Sequence, residues 1–350
     1  MSSSGGLNTT DLTLPTSPLH FFIKRRKRQT QLWLDVTKNT PRQLDQIIQL
    51  LMEQQREIRT LYNSLGLPPA EQWLNQPPRQ AGSAGAKVFT ACSPCRQESF
   101  SEPYFSYWSS ELRQVLRYHR KLWEFVFICQ ALHERGMLVP GRKGLGFGVG
   151  EEPLSAYFAA QGCQIVATDI DLEYAQAMGW TDTNQHATGL EALRDSHLCP
   201  DDVFDANVTF ETCDMNRVPD HLTGFDFCWS ACALEHLGSI EHGLAFIERS
   251  IETLKPGGWA IHTTEFNTGS NEETVDNLGT VLFRRRDFAE LALRLSKKGH
   301  RLAPLDFNLG YGAIDRYIDV PPYREQPHLQ MMLSGFPTTS YGLIVQRGPA

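Results

Sequence analysis

Four glycines at alternate positions, Gly144, Gly146, Gly148 and Gly150, separate an apolar run from the pair Glu151-Glu152 and then Pro153. Glycine lets a chain turn tightly and approach a ligand closely, and Pro at a first turn suits a helix start. Such a bend commonly receives a pyrophosphate at the helix N-terminus. Here Glu151 stands three positions beyond Gly148, where a dinucleotide site takes Gly or Ala, and two adjacent carboxylates would repel phosphate. The pair suits a ligand with a cationic head, and either glutamate also complements a helix dipole. Asp169 closes the run Ile165–Thr168, nineteen residues after Gly150, at the distance from which a carboxylate accepts from both hydroxyls of a ribose. Asp214 closes Val208–Cys213; it can accept from a purine amino group while Met215 packs on the ring.

Two further residues could handle a proton. His236 follows Glu235 directly, and an imidazole titrates near neutrality. Glu265, in Thr263-Thr264-Glu265-Phe266-Asn267, could act as a base, bind acceptor hydroxyls or join Glu235 on a metal. The sequence shows no dense carboxylate cluster, so no metal is assigned. The pair Cys92 and Cys95 lacks a second pair at ligand spacing and reads as a loop feature.

The elements that must position these groups alternate between strand-like and helical runs, the mark of a parallel α/β sheet. Strands are expected at Lys143–Phe147, Gln164–Asp169, Val208–Asp214, Phe225–Ser230, Gly258–Phe266, Arg301–Phe307 and Ser340–Gln346. Helices are expected at Glu111–Glu134, which ends at Gly136, at Ile240–Leu254, and at Arg286–Lys298. The segment Ile170–Asn207 is long for a single connection and carries Trp180-Thr181-Asp182-Thr183-Asn184-Gln185-His186, a run able to reach a bound ligand.

With these motifs in order, residues of about 140 to 266 resemble the class I S-adenosylmethionine (SAM)-dependent methyltransferases of the small-molecule type. The resemblance rests on Gly146-x-Gly148-x-Gly150, Asp169, Cys213-Asp214, the block Phe225–Leu237 and Leu254-Lys255-Pro256-Gly257-Gly258. It implies a Rossmann-like, seven-stranded, mostly parallel sheet of order 3-2-1-4-5-7-6 with the last strand antiparallel. It implies SAM as cofactor, with Gly146, Gly148 and Gly150 at its methionyl part, Asp169 and the neighbouring Ile170 at the ribose, and Asp214 with Met215 at the adenine. Ser230 and Ala231 would line the methyl-transfer pocket. The chain departs from the family where Gly144 replaces the usual opening acid, so contact with the ammonium passes to Glu151 or to backbone carbonyls. Ser230-Ala231-Cys232-Ala233 stands where amino-methylating enzymes of DNA carry Asn/Asp-Pro-Pro-Tyr.

The expected activity is methyl transfer to a small-molecule, sugar or lipid-linked acceptor at a hydroxyl, with His236 and Glu265 as catalytic candidates. The alternative is a catalytically inactive Rossmann-like scaffold. A dehydrogenase is disfavoured by Glu151. A net charge of −7 argues against nucleic acid as partner. The 350 residues, 41% apolar, exceed one ordinary domain. A flexible tail is expected at 1–18, a helical extension at 19–66, a linker at 67–103 and the methyltransferase domain at 104–350. Phe21-Phe22-Ile23 before Lys24-Arg25-Arg26-Lys27-Arg28 suggests peripheral contact with a membrane. Leu44, Leu51, Ile58 and Leu65 recur every seven residues within 42–65, the pattern of a short coiled coil that could form a homodimer. Eight scattered cysteines and the lack of a signal peptide or a span of ~18–20 apolar residues give a cytoplasmic expectation.

Overall fold

The computed structural model describes residues 44, 47–52, 54, 58, 77, 82–85, 87–171 and 186–349. The chain forms two compact units, residues 1–60 and 61–350. In the first, the described residues 44, 47–52, 54 and 58 are helical. Ile47 is buried there, whereas Leu44, Ile48, Leu51, Met52 and Ile58 are exposed. The expected tail and basic run lie outside the described residues, as do Trp180–Gln185.

The larger unit opens with β1 (Ser93–Pro94), α1 (Pro103–Glu111) and α2 (Arg120–His133). It continues with β2 (Lys143–Phe147), α3 (Leu154–Ala160), β3 (Gln164–Asp169), α4 (Asp201–Asn207) and β4 (Val208–Thr212). There follow β5 (Phe225–Ala231), α5 (Ile240–Glu252), β6 (Leu254–Asn267), α6 (Arg285–Lys297) and the short β7 (Arg301–Leu302) and β8 (Ile318–Asp319). A hairpin of β9 (Gln330–Leu333) and β10 (Phe336–Gln346) completes it. The sheet runs β4-β3-β2-β5-β6-β10-β9-β8. Strands β4, β3, β2, β5 and β6 are mutually parallel, and β10 lies antiparallel to β6.

This is the expected Rossmann-like class with its antiparallel partner to the fifth predicted strand, but the edge differs. The predicted strand Arg301–Phe307 shrinks to β7, two residues paired with Val345 and Gln346. The rest of the outer edge of β10 is already taken, Tyr341 and Gly342 by β1 and Phe336–Thr339 by β9. Each backbone group can serve only one ladder, so Leu305 is left with a single bridge to Cys92. The segment expected as linker thus supplies a strand and core side chains from Ala84 onward: Ala84, Phe89, Cys92, Cys95 and Phe100 are all buried. Burial pushes the Cys92 thiol up to about 12, so it is an uncharged packing group.

The helix expected at Glu111–Glu134 starts nine residues later, at Arg120, and a separate helix precedes it. α1 ends at Glu111, Arg113 takes a left-handed φ of 51°, and α2 starts at Arg120. The apolar periodicity misleads here because Val115, read as part of the buried face, is exposed. α2 is buried along nearly its whole length and packs on β10, β6 and β5. It lies so close to β10 that a Cβ on Gly342 would stand 2.3 Å from the Phe127 ring. Gly342→Val should therefore overpack this contact and cost about 1–3 kcal/mol, read as a lower urea midpoint.

Candidate active site

All five parallel strands end on the same edge of the sheet. β2 lies between β3 and β5, so the connections leaving β2 and β5 run to opposite sides and open a crevice there. A cleft of about 490 Å³ occupies it, within the usual range for small-molecule sites. It is lined from the ends of β4 (Cys213, Asp214, Met215, Asn216), β3 (Asp169, Ile170, Asp171), β2 (Gly148–Glu152), β5 (Ala231–Ala233) and β6 (Glu265). Adjacent strands lie ~4.8 Å apart, so the floor from β4 to β6 extends roughly 19 Å. His119, Arg120, Lys121 and Phe125 at the start of α2 complete the lining, with Glu235, His236 and Leu237 beyond β5.

Asp169 organises the central bend. Its Oδ2 accepts from Gly150 N at 2.9 Å and Ala187 N at 3.0 Å, and its Oδ1 accepts from Ile170 N at 2.8 Å. Burial raises its pKa, and these N–H groups oppose the rise. Gly148 has φ +56°, a left-handed conformation, and a Cβ there would come within 2.8 Å of Ala233 and 3.3 Å of the Met215 sulfur. A side chain would both strain the bend and fill the floor. His186 Nε2 bonds Ile170 O at 2.7 Å, which anchors the return of the long connection. Asp214 Oδ1 accepts from Asn216 N at 2.8 Å and caps a short turn.

Gly148, Gly150, Glu151, Asp169, Ile170, Asp214, Met215, Ala231, His236 and Glu265 thus share one cleft. Two expected residues do not line it. Gly146 lies beneath the bend, where a Cβ would meet the Trp229 ring at 2.5 Å; its lack of a side chain admits the tryptophan. Ser230 faces the other side of β5, as alternation with Ala231 requires, and its Oγ bonds His262 Nδ1 at 2.8 Å under α5. Burial pushes His262 down to about 3, which keeps that imidazole neutral. His236 donates Nδ1–H to Gly279 O at 3.0 Å, because a carbonyl can only accept.

Of the pair Glu151-Glu152, Glu152 is the buried one, its Oε1 accepting from Trp229 Nε1 at 2.6 Å. Other groups escaped the sequence reading. Arg120 Nη1 lies 2.7 Å from Glu265 Oε1 and 3.1 Å from Glu124 Oε1. Lys121 Nζ lies 3.1 Å from Glu124 Oε2 and donates to Ala231 O at 3.0 Å. Ser340 Oγ donates to Glu124 Oε1 at 2.6 Å. Burial alone would lower the Arg120 and Lys121 pKa values, but the carboxylates outweigh it and hold both cations charged. Burial and the neighbouring carboxylates Glu235 and Glu124 push Glu265 up, against Arg120. The available signal was Glu124 itself, an acid within Leu122-Trp123-Glu124-Phe125-Val126 that needs partners once buried.

Burial pushes Glu152 up to about 8 from an ordinary 4.5. Between these values the folded chain holds a proton that the unfolded chain has released. The contribution of Glu152 is therefore full below its unfolded pKa and lost as pH rises through about 8. Glu152→Gln should remove this dependence, at most ~1.4 kcal/mol per pH unit, so urea midpoints of the variant should fall less steeply than wild type between mildly acidic and mildly basic pH.

A family of methyltransferase domains matches residues 145–262. No curated protein matches the chain. Among solved structures it is similar to a SAM-dependent methyltransferase from Aquifex aeolicus, at 15% identity and a TM-score of 0.33, covering 62% of this chain and 87% of the other. Phosphoethanolamine N-methyltransferase 2 of Haemonchus contortus in complex with SAM is 16% identical, TM-score 0.40, with 63% of this chain and 52% of the other covered. Magnesium protoporphyrin IX methyltransferase from Synechocystis PCC 6803 with bound S-adenosylhomocysteine (SAH) is 13% identical, TM-score 0.36, with 64% and 83% covered. The family match covers the glycine bend and the crossover of the parallel sheet, so residues 145–262 carry a methyltransferase domain.

Proposed function

We propose that this chain transfers the methyl group of SAM to a hydroxyl of a small acceptor, a sugar or lipid-linked intermediate. The carrying observation is that one cleft, read in strand order, passes from Asp214 and Met215 through Asp169 and the glycine bend to Ala231 and the buried Glu265–Arg120 pair. The cleft fits the nucleoside: its volume is adequate, Gly148 leaves its floor open, and Glu151 offers a carboxylate to a cationic head. Asp169 keeps one acceptor site, on Oδ1, for a ribose hydroxyl, Ile170 borders it, and Asp214 with Met215 takes the adenine. Gly150 and Ala231 flank the methionyl and methyl ends.

When bound, SAM supplies an electrophilic methyl on a sulfonium. The chain holds the acceptor oxygen in line with that methyl, with Glu265 and Arg120 orienting the hydroxyl. His236 would accept the acceptor's hydroxyl proton as the methyl group is transferred and would pass it to solvent. The basic residues 24–28 support an acceptor at a membrane surface. Among the described residues no helix is long and apolar enough to cross a membrane. The catalytic unit begins by Ala84, which is already packed in its core.

The test is incubation with methyl-labelled SAM and a small-molecule and lipid extract, followed by identification of the labelled product. An O-methylated product is expected. His236→Gln should lower turnover ~10²–10⁴-fold with SAH affinity within threefold, and Asp169→Ala should weaken SAH at least tenfold by calorimetry. Labelling on nitrogen, or full turnover in His236→Gln, would overturn the reading.

Pairing of the 42–65 helices into a homodimer is supported by the exposure of Leu44, Leu51 and Ile58, one heptad apart. Sedimentation should show a dimer for the full chain and a monomer after these three are replaced by Ser; equal masses would discard the pairing.

A further inference from the structure

At the β5–β6 end of the cleft, Cys232, Glu235 and Glu265 bring a thiol and two carboxylates together, with one ligand atom from each within 4.8 Å of the others. Neither sequence spacing nor the transfer step requires this trio. Cys232 follows the last residue of β5 with a left-handed φ of 52°. This turns the thiol into the cleft, where it is partly exposed, while both glutamates are buried.

A second observation points to a missing partner. Glu265 Oε1 is held by Arg120, yet Oε2 is buried with no hydrogen bond to it. An unpaired buried carboxylate oxygen is costly. The other donors are oriented as metal ligands usually are, by an outer set of contacts. Thr264 Oγ1 donates to Glu235 Oε2 at 3.1 Å. Thr263 Oγ1 at 3.9 Å and Arg120 Nη1 at 3.8 Å face the Cys232 sulfur.

We propose that Cys232, Glu235 and Glu265 form a binding site for a zinc-class divalent cation. A soft thiolate with two carboxylates suits such an ion better than calcium or magnesium. Three protein ligands leave a fourth position open to the cleft, as in catalytic rather than structural sites. That open position takes the acceptor oxygen; this last role, though not the site itself, rests on the methyl-transfer reading above.

The test uses the full chain, dialysed against a chelator and titrated with cobalt(II). Thiolate ligation should give a sulfur-to-cobalt charge-transfer band that saturates at one equivalent and is displaced by zinc. Cys232→Ser should abolish the band, and Glu235→Gln and Glu265→Gln should weaken cobalt binding at least tenfold while keeping it. Circular dichroism and SAH calorimetry on each variant report folding and the cofactor cleft. A band that survives in Cys232→Ser, or no band in a wild-type chain that binds SAH, overturns the metal site and leaves the methyltransferase reading standing. A Cys232-dependent band in a chain that does not bind SAH supports the site and sinks that reading.

Discussion

The carboxylate of Asp169 ties three pieces of backbone that the sequence keeps apart. It ends β3, receives the amide of Gly150 after β2, and receives Ala187 where the long connection returns. An aspartate so engaged fixes the glycine bend relative to the neighbouring strand, and the cleft floor follows from that. The geometry depends on φ values at Gly148 and Gly150 that L side chains rarely adopt. It depends also on Gly146, which lets the Trp229 ring pass underneath and reach Glu152.

The other half of the cleft depends on a buried charge network. Arg120 and Lys121 sit in the first turn of α2, where the helix dipole disfavours cations. They are held by Glu124 one turn along and by Glu265 from β6. Desolvated charges persist only when each has a partner. The network therefore fixes α2 over β5 and β6 and carries its charges to the place where an acceptor would enter. His119 ends the same region as a neutral group, pushed down to about 3 by burial and by His328 nearby. The two halves of the cleft thus differ in kind. One is shaped by backbone amides around a single carboxylate, the other by side-chain charges around a thiol.

The chain itself determined the parallel core. Alternating apolar runs, the glycine bend and strand-end acids at 169 and 214 are local patterns, legible because strand period and turn chemistry are written in neighbouring residues. Tertiary structure decided what depends on partners distant in sequence. Residues near 93 occupy the edge of β10 and curtail the strand at 301, because pairing is a competition among segments for the same backbone groups. Which of Glu151 and Glu152 is buried, and that Ser230 faces away from the cleft while Ala231 faces it, follow from register and pleat. The gathering of Cys232, Glu235 and Glu265 beneath Arg120 is likewise a product of strand order, since only adjacency of β5 and β6 under α2 brings those side chains together.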